Sequence, residues 1–119
     1  MKKHGYSRAE KLKNKKEIAL LFEKGKWKSY GSLRMIILPS ENLENNKVGV
    51  SVSKRHFKKA VDRNRIKRLL REVYRLNKDL FNEKFGEKNL IMLFWVSAEK
   101  PQHYLLVEKE FLEFCGIKK

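Results

Sequence analysis

Apolar residues recur along the chain with two different periods, and the switches between them mark the elements. Asn14-Lys15-Lys16-Glu17 has the form of a helix start, with Asn14 as N-cap and Glu17 three residues later. Ile18, Leu21 and Phe22 follow at helical spacing, and Gly25 supplies a stop. A short strand fits near 27–31. Residues 33–38 (LRMIIL) read as a strand closed by Pro39, and the polar stretch 40–47 as a turn region. Val48, Val50 and Val52 then alternate with Gly49, Ser51 and Ser53, the pattern of a half-buried strand. From about 60 to 77 the period is helical again, with Ile66, Leu69, Leu70, Val73 and Leu76 on one face. Gly86 marks a break. Residues 90–96 (LIMLFWV) form an unbroken apolar run of strand length, which predicts a central strand covered on both faces. Pro101 precedes a final amphipathic helix in which Leu105, Leu106, Phe111, Leu112 and Cys115 are expected to face inward.

The resulting order, αβββαβα, predicts an α+β fold, a sandwich of helices packed on one sheet. A chain of 119 residues has the size of one domain, and 41% hydrophobic residues suffice for a packed core. No internal repeat or linker divides it, so 1–119 is read as a single domain. Residues 1–10, basic and glycine-containing, are expected to be loosely held. The unit formed by strand 48–53, helix 60–77 and strand 90–96 would by default be a right-handed crossover.

Charge narrows the function. The chain has 29 Lys and Arg against 14 Asp and Glu, a net of +15. Such an excess repels itself in a compact state and is usually tolerated because a polyanion neutralises it. Nucleic acid is the first candidate and an anionic membrane surface the second. No apolar run approaches the roughly 20 residues of a spanning helix, and no apolar segment of a signal peptide follows Met1-Lys2-Lys3. Cys115, the only cysteine, cannot form an internal disulfide, which fits a reducing cytoplasm. His4, His56 and His103 are scattered without metal-ligand spacing, so no protein zinc site is expected. Glu108, Glu110 and Glu113 read as a solvated helix face rather than a catalytic pair.

The charge is concentrated. Residues 54–71 (KRHFKKAVDRNRIKRLLR) carry nine basic residues against one acid, Asp62, a net of +8. On a helix, Asn64, Lys67, Arg68, Arg71 and Arg75 lie three or four apart and share one side, away from Ile66, Leu69, Leu70 and Val73. Arg forks pair bidentately with phosphate oxygens, and Lys adds point charge. Asn64 can reach a 2′-hydroxyl, a phosphate or a base edge. Ser51 and Ser53 lie on the polar face of the preceding strand, next to Lys54 and Arg55. A merely solvated basic face would leave five like-charged or polar positions adjacent with Glu72 alone as local relief. A nucleic-acid surface explains the segment better. Elsewhere, Phe22 fits a base-stacking role and a core role equally. Trp27 and Tyr30, among Lys24, Lys26 and Lys28, suit single strands, although a hairpin rim is the simpler account. Phe57 is expected to be buried under the crossover.

The run Arg63-Asn64-Arg65-Ile66-Lys67-Arg68-Leu69-Leu70-Arg71 resembles the RNR signature of the bacterial ribonuclease P protein family. The stretch Val48-Gly49-Val50-Ser51-Val52-Ser53-Lys54-Arg55, followed by Ala60-Val61, resembles the same family, and weaker similarity covers nearly the whole chain. The resemblance implies the fold type of the second domain of ribosomal protein S5, with a left-handed crossover. It implies a protein subunit that joins one catalytic RNA, 1:1 and without an obligate protein partner. The assembly removes the 5′ leader of precursor tRNA, and the RNA with its bound Mg²⁺ performs the hydrolysis. It implies no catalytic residue and no metal ligand in the protein. Lys54, Arg55, Arg63, Asn64, Arg65, Lys67, Arg68 and Arg71 are then expected to face the catalytic RNA. A cleft between the sheet and the N-terminal helix, at Ile18, Phe22, Ile36, Ser51 and Ser53, is expected to take the leader. Ile18 stands where the family often has Phe, and Ile36 where it can have an aromatic. The alternative is a structural ribosomal protein without a role in catalysis. A DNA-binding module is disfavoured because no helix-turn-helix spacing is present.

Overall fold

The structure, a computed structural model, describes residues 11–12, 14–41, 43–101 and 103–116; the expectation for residues 1–10 lies outside them. The elements are α1 (Lys15–Lys24), β1 (Lys26–Tyr30), β2 (Leu33–Pro39), β3 (Lys47–Val52), α2 (Ala60–Leu76), α3 (Lys78–Phe85), β4 (Asn89–Trp95) and α4 (Tyr104–Phe114). The order is therefore αβββααβα, one helix more than the sequence pattern predicts.

Asn77 makes the extra helix. At φ −121° it leaves the helical region, and its N–H closes α2 on Val73 O and Tyr74 O. Its own carbonyl then accepts from the Phe81 N–H at 3.0 Å and starts α3. Phe81, fully buried, anchors that helix in the core. Gly86, at φ +94°, ends it in a conformation that residues with a side chain rarely adopt.

At the other end Asn14 caps α1 as expected, its side chain accepting from the Lys16 and Glu17 N–H groups at 2.8 and 3.3 Å. Glu17 does not reach back to complete a capping box. Its carboxylate accepts from Lys47 Nζ at 3.0 Å and ties α1 to β3. Gly25 lets the helix end meet the sheet, because a Cβ there would lie 2.5 Å from Leu21 O and 2.6 Å from Ile36 Cγ1.

The four strands pair in the order β1-β2-β4-β3, with β3 parallel to β4 and the other pairs antiparallel. Two cores result. One face of the sheet packs against α2, α3 and α4 through Met35, Ile37, Val48, Ile91, Leu93 and Trp95. The other packs Ile36, Leu90 and Met92 against Leu12 and Leu21 under α1. The apolar run of β4 is covered on both faces, as its sequence predicts.

The hand of the β3–α2–α3–β4 crossover follows from chirality. The Val96 N–H donates to Ser32 O and the Ser40 N–H to Lys88 O. Even-numbered residues along β4 therefore turn their amides toward β2, and their side chains, Leu90 and Met92, toward α1. For L-residues this places β3 to the left of β4 when β4 runs upward and α1 faces the viewer. With α2 behind the sheet, the passage from β3 to β4 is left-handed, against the default for such units.

Three expected core residues lie outside it. Leu76 is 39% exposed, Leu105 66% and Leu106 40%. In α4 the buried face runs through Val107, Phe111 and Leu112; Leu106 falls on the opposite side of the helix, and Leu105, in line with Leu112, lies in the exposed first turn.

Two buried asparagines join the turns at one end of the sheet. Asn46 Nδ2 donates to Asn82 Oδ1 (2.8 Å) and Gly86 O (3.0 Å). Its Oδ1 accepts from the Asn89 backbone N–H (2.8 Å) and side chain (3.0 Å). Replacing Asn46 by Ala strands several buried polar groups, so it should cost about 3 kcal/mol. Urea unfolding should show a lower midpoint with an unchanged slope.

Candidate nucleic-acid interface

Helix α2 divides its surface sharply. Ile66, Leu70, Val73 and Tyr74 are buried at spacings of three and four. Asn64, Arg68 and Arg71 are exposed on the opposite side, and Lys67 and Arg75 are half-buried beside them. At about 100° per residue these five positions share one flank. The helix thus carries a basic flank on a support that its apolar face holds rigid. Arg75 is ion-paired with Glu72. Lys54 and Arg55 are exposed in the turn that leads into the helix.

The RNR residues do not act as one. Asn64 points outward with the basic flank. Arg65, also exposed, lies on the other flank and lines a shallow crevice with Asp62, Leu69, Lys100 and Pro101. Lys100 Nζ meets Asp62 Oδ1 at 3.1 Å there. Arg63, half-buried, bonds to its own chain. Its Nη1 donates to Phe57 O at 2.7 Å and Lys58 O at 2.8 Å, so it closes the loop between β3 and α2 on its own chain. Lys59, the N-cap residue, offers α2 no side-chain cap. The Arg63 guanidinium does the work of fixing the helix entry, over Phe57, which is 4% exposed as expected.

The other expected surface lies on the α1 face of the sheet. Ser51 and Ser53 lie at the end of β3; the Ser53 hydroxyl accepts from the Arg55 N–H at 3.0 Å and shapes the basic turn. Ile18 is half-buried against the smaller core. Ile36 is fully buried, so it is floor and cannot be a contact surface. Phe22 is 45% exposed. Its ring lies 6.0 Å from that of Trp27 and 6.1 Å from that of Phe94, and the latter two are 5.4 Å apart. Arg34 stacks its guanidinium 4.2 Å from the Trp27 ring centroid.

Phe94 and Arg34 do not stand out in the sequence. The signal is the phase of alternation. In register, Ser29, Arg34, Phe94 and Ser51 align across all four strands on one face, and Trp27 pairs with Ile36 on the same face. Tyr30 falls on the opposite face. Its O–H donates to Glu113 Oε2 at 2.5 Å, and that bond, before burial, raises the phenol's pKa. Cys115 is buried, which pushes its thiol up to about 11 and leaves it protonated and unreactive at neutral pH. Among the described residues no three His, Cys, Asp or Glu gather to hold a metal ion, and no helix is long and apolar enough to cross a membrane.

The family model for ribonuclease P matches residues 6–115. The chain belongs to the ribonuclease P protein family. The ribonuclease P protein component of Porphyromonas gingivalis W83 is 38% identical over 109 residues, 88% of this chain and 80% of that protein. That of Nitrosococcus oceani is 32% identical over 93 residues, 78% of this chain and 74% of that protein. The fold agrees with solved members of the family. The Staphylococcus aureus RNase P protein superposes with a TM-score of 0.76 at 20% identity, covering 92% of this chain and 94% of that one. The Thermotoga maritima RNase P protein gives 0.75 at 21%, covering 92% and 99%.

Within this ribonuclease P protein fold, Arg63 and Arg68 should separate cleanly. Arg63→Ala removes the donor from two loop carbonyls and should cost about 1–3 kcal/mol in urea unfolding. Arg68→Ala should change stability by less than about 0.5 kcal/mol. It should instead weaken RNA binding and reduce the slope of log K against log salt by about one.

Proposed function

We propose that this chain is the protein subunit of ribonuclease P, which works with the catalytic RNA to remove the 5′ leader of precursor tRNA. The observation that carries the reading is the basic flank of α2, held outward by its buried opposite face, in a chain of this family. Asn64, Lys67, Arg68 and Arg71, with Lys54 and Arg55 at the entry turn, bind the phosphates of the catalytic RNA. Arg65 contacts RNA from the other flank. Arg63 holds the entry loop that presents Lys54 and Arg55. The α1 face of the sheet, with Phe22, Ser51 and Ser53, takes the single-stranded leader, and the aliphatic Ile18 and Ile36 shape its floor.

The protein contributes binding and position, and the RNA the reaction. Magnesium is the ion the holoenzyme uses, and the carboxylates beside α2 are a poor donor set for so hard a cation. Asp62 is paired with Lys100 and Glu72 with Arg75. We place the ion mainly on the RNA, and the chain's part is to lower the repulsion that otherwise demands more of it. We place the assembly in the cytoplasm as one protein on one RNA, without a further protein partner.

Precursor processing with the catalytic RNA at low Mg²⁺ tests this. Adding the protein should raise both leader-dependent substrate affinity and cleavage rate, and the gain should fall steeply with salt. If affinity and rate both stay at the level of the RNA alone, the reading is wrong.

A further inference from the structure

Helix α1 is too short to cover its face of the sheet. It ends at Lys24, and Gly25 turns the chain directly into β1. The row Ser29, Arg34, Phe94 and Ser51 lies past the fully buried Leu21 and Ile36. Trp27 and Phe22 flank this row and are 43% and 45% exposed. Rings that served only to close the small core would be buried as Leu21 and Ile36 are. These rings touch one another yet leave nearly half of their surface to solvent, which is costly for aromatic side chains unless something covers them.

Arg34 supports the same conclusion. Among the described residues the structure pairs it with no carboxylate. Its guanidinium instead lies over Trp27 at 4.2 Å. A flat cation on an indole extends the stacking surface and keeps its N–H groups at the edge, free to donate. Lys24 is exposed at the end of α1, two residues before the strand that carries Trp27. From there the row runs across the sheet to Ser51, and β3 continues into Ser53, Lys54 and Arg55. Aromatic side chains on an open sheet face, flanked by cations, are what single-stranded RNA binds. Duplex RNA cannot use them, since its bases are already stacked.

We propose that Trp27, with Arg34 stacked on it and Phe22 and Phe94 beside it, is the base-stacking platform for an unpaired nucleotide of the leader. The proposal rests on the reading of this chain as the leader-binding subunit. It moves the stacking role from Ile18 and Ile36, which are aliphatic here, to a residue of β1. Trp27 is the cross-strand partner of Ile36, so its indole lies on the same face as the buried Ile36 side chain. Stacking is indifferent to base identity, so the platform reads the presence of a single strand rather than its sequence.

The test uses holoenzyme reconstituted with the catalytic RNA, and precursor tRNA with and without its leader. Trp27→Ala should weaken the leader-bearing form about tenfold, within the range expected for one stacked base. It should leave the leaderless form and the affinity for the catalytic RNA unchanged, and Trp27→Phe should restore most of the loss. A second readout needs no variant. The other tryptophan, Trp95, is 3% exposed with its Nε1 donating to Glu99 O, so its emission should stay constant. Trp27 emission should be quenched when a short single-stranded RNA of leader sequence binds. A Trp27→Ala enzyme that keeps the full preference for the leader, with wild-type emission unchanged when the RNA binds, would overturn the platform alone. A wild-type enzyme with no preference for the leader would overturn the leader-binding reading with it.

Discussion

The parallel pairing of β3 with β4 is the constraint on which the rest of the molecule depends. Adjacent parallel strands cannot be joined by a tight turn, so the chain must return across a face of the sheet. It does so through α2 and α3. That passage lays Ile66, Leu70, Val73 and Tyr74 against the sheet and α4. Rotating α2 by one residue would bring a guanidinium toward the core and expose a leucine or isoleucine. Either change costs several kcal/mol. The direction of the basic flank is therefore set by the apolar side of the same helix, and its cationic groups are positioned by the fold itself.

The same sheet separates the two surfaces proposed to meet RNA. Among the described residues one face is filled by α2, α3 and α4, and α1 is the only helix on the other. The short α1 leaves Phe22, Trp27 and Phe94 partly open beside Arg34. The Lys54–Arg55 turn lies between the two surfaces, at the end of β3 and the start of the loop that Arg63 closes. A charge of +15 on 119 residues is self-repulsive in isolation. The +8 of it gathered at residues 54–71, on α2 and the turn before it, suits a polyanionic partner.

Much of this was legible in the sequence. The valine alternation of β3, the apolar run of β4 and the period of α2 each obey a single local rule, and all three elements form. The RNR run pointed to the family, and the family match separates this chain from a structural ribosomal protein where composition could not. The failures have physical causes. Asn77 ends one helix and begins the next through its own backbone bonds, which periodicity does not report. Leu106 obeys the composition of a buried face but not its phase, and Leu105 has the phase but lies in the first turn of α4, where it stays exposed. Arg63 looks like its neighbours in sequence, yet the loop carbonyls of Phe57 and Lys58 claim it. Ile36 and Trp27 are register partners, and only the pairing of β1 with β2 shows which of them reaches solvent. The hand of the crossover is written in no local pattern; it came from resemblance and is settled by which face α2 covers.

The central claim is that the catalytic RNA lies along the basic flank of α2 and its entry turn. Lysine modification of the protein, free and in complex with that RNA, tests it most directly. Lys54, Lys58 and Lys59, all exposed in the free protein, should become strongly protected. Lys88 and Lys109, exposed on the turn before β4 and on α4, should react as before. Protection of Lys88 and Lys109 with Lys54, Lys58 and Lys59 still reactive would contradict the account.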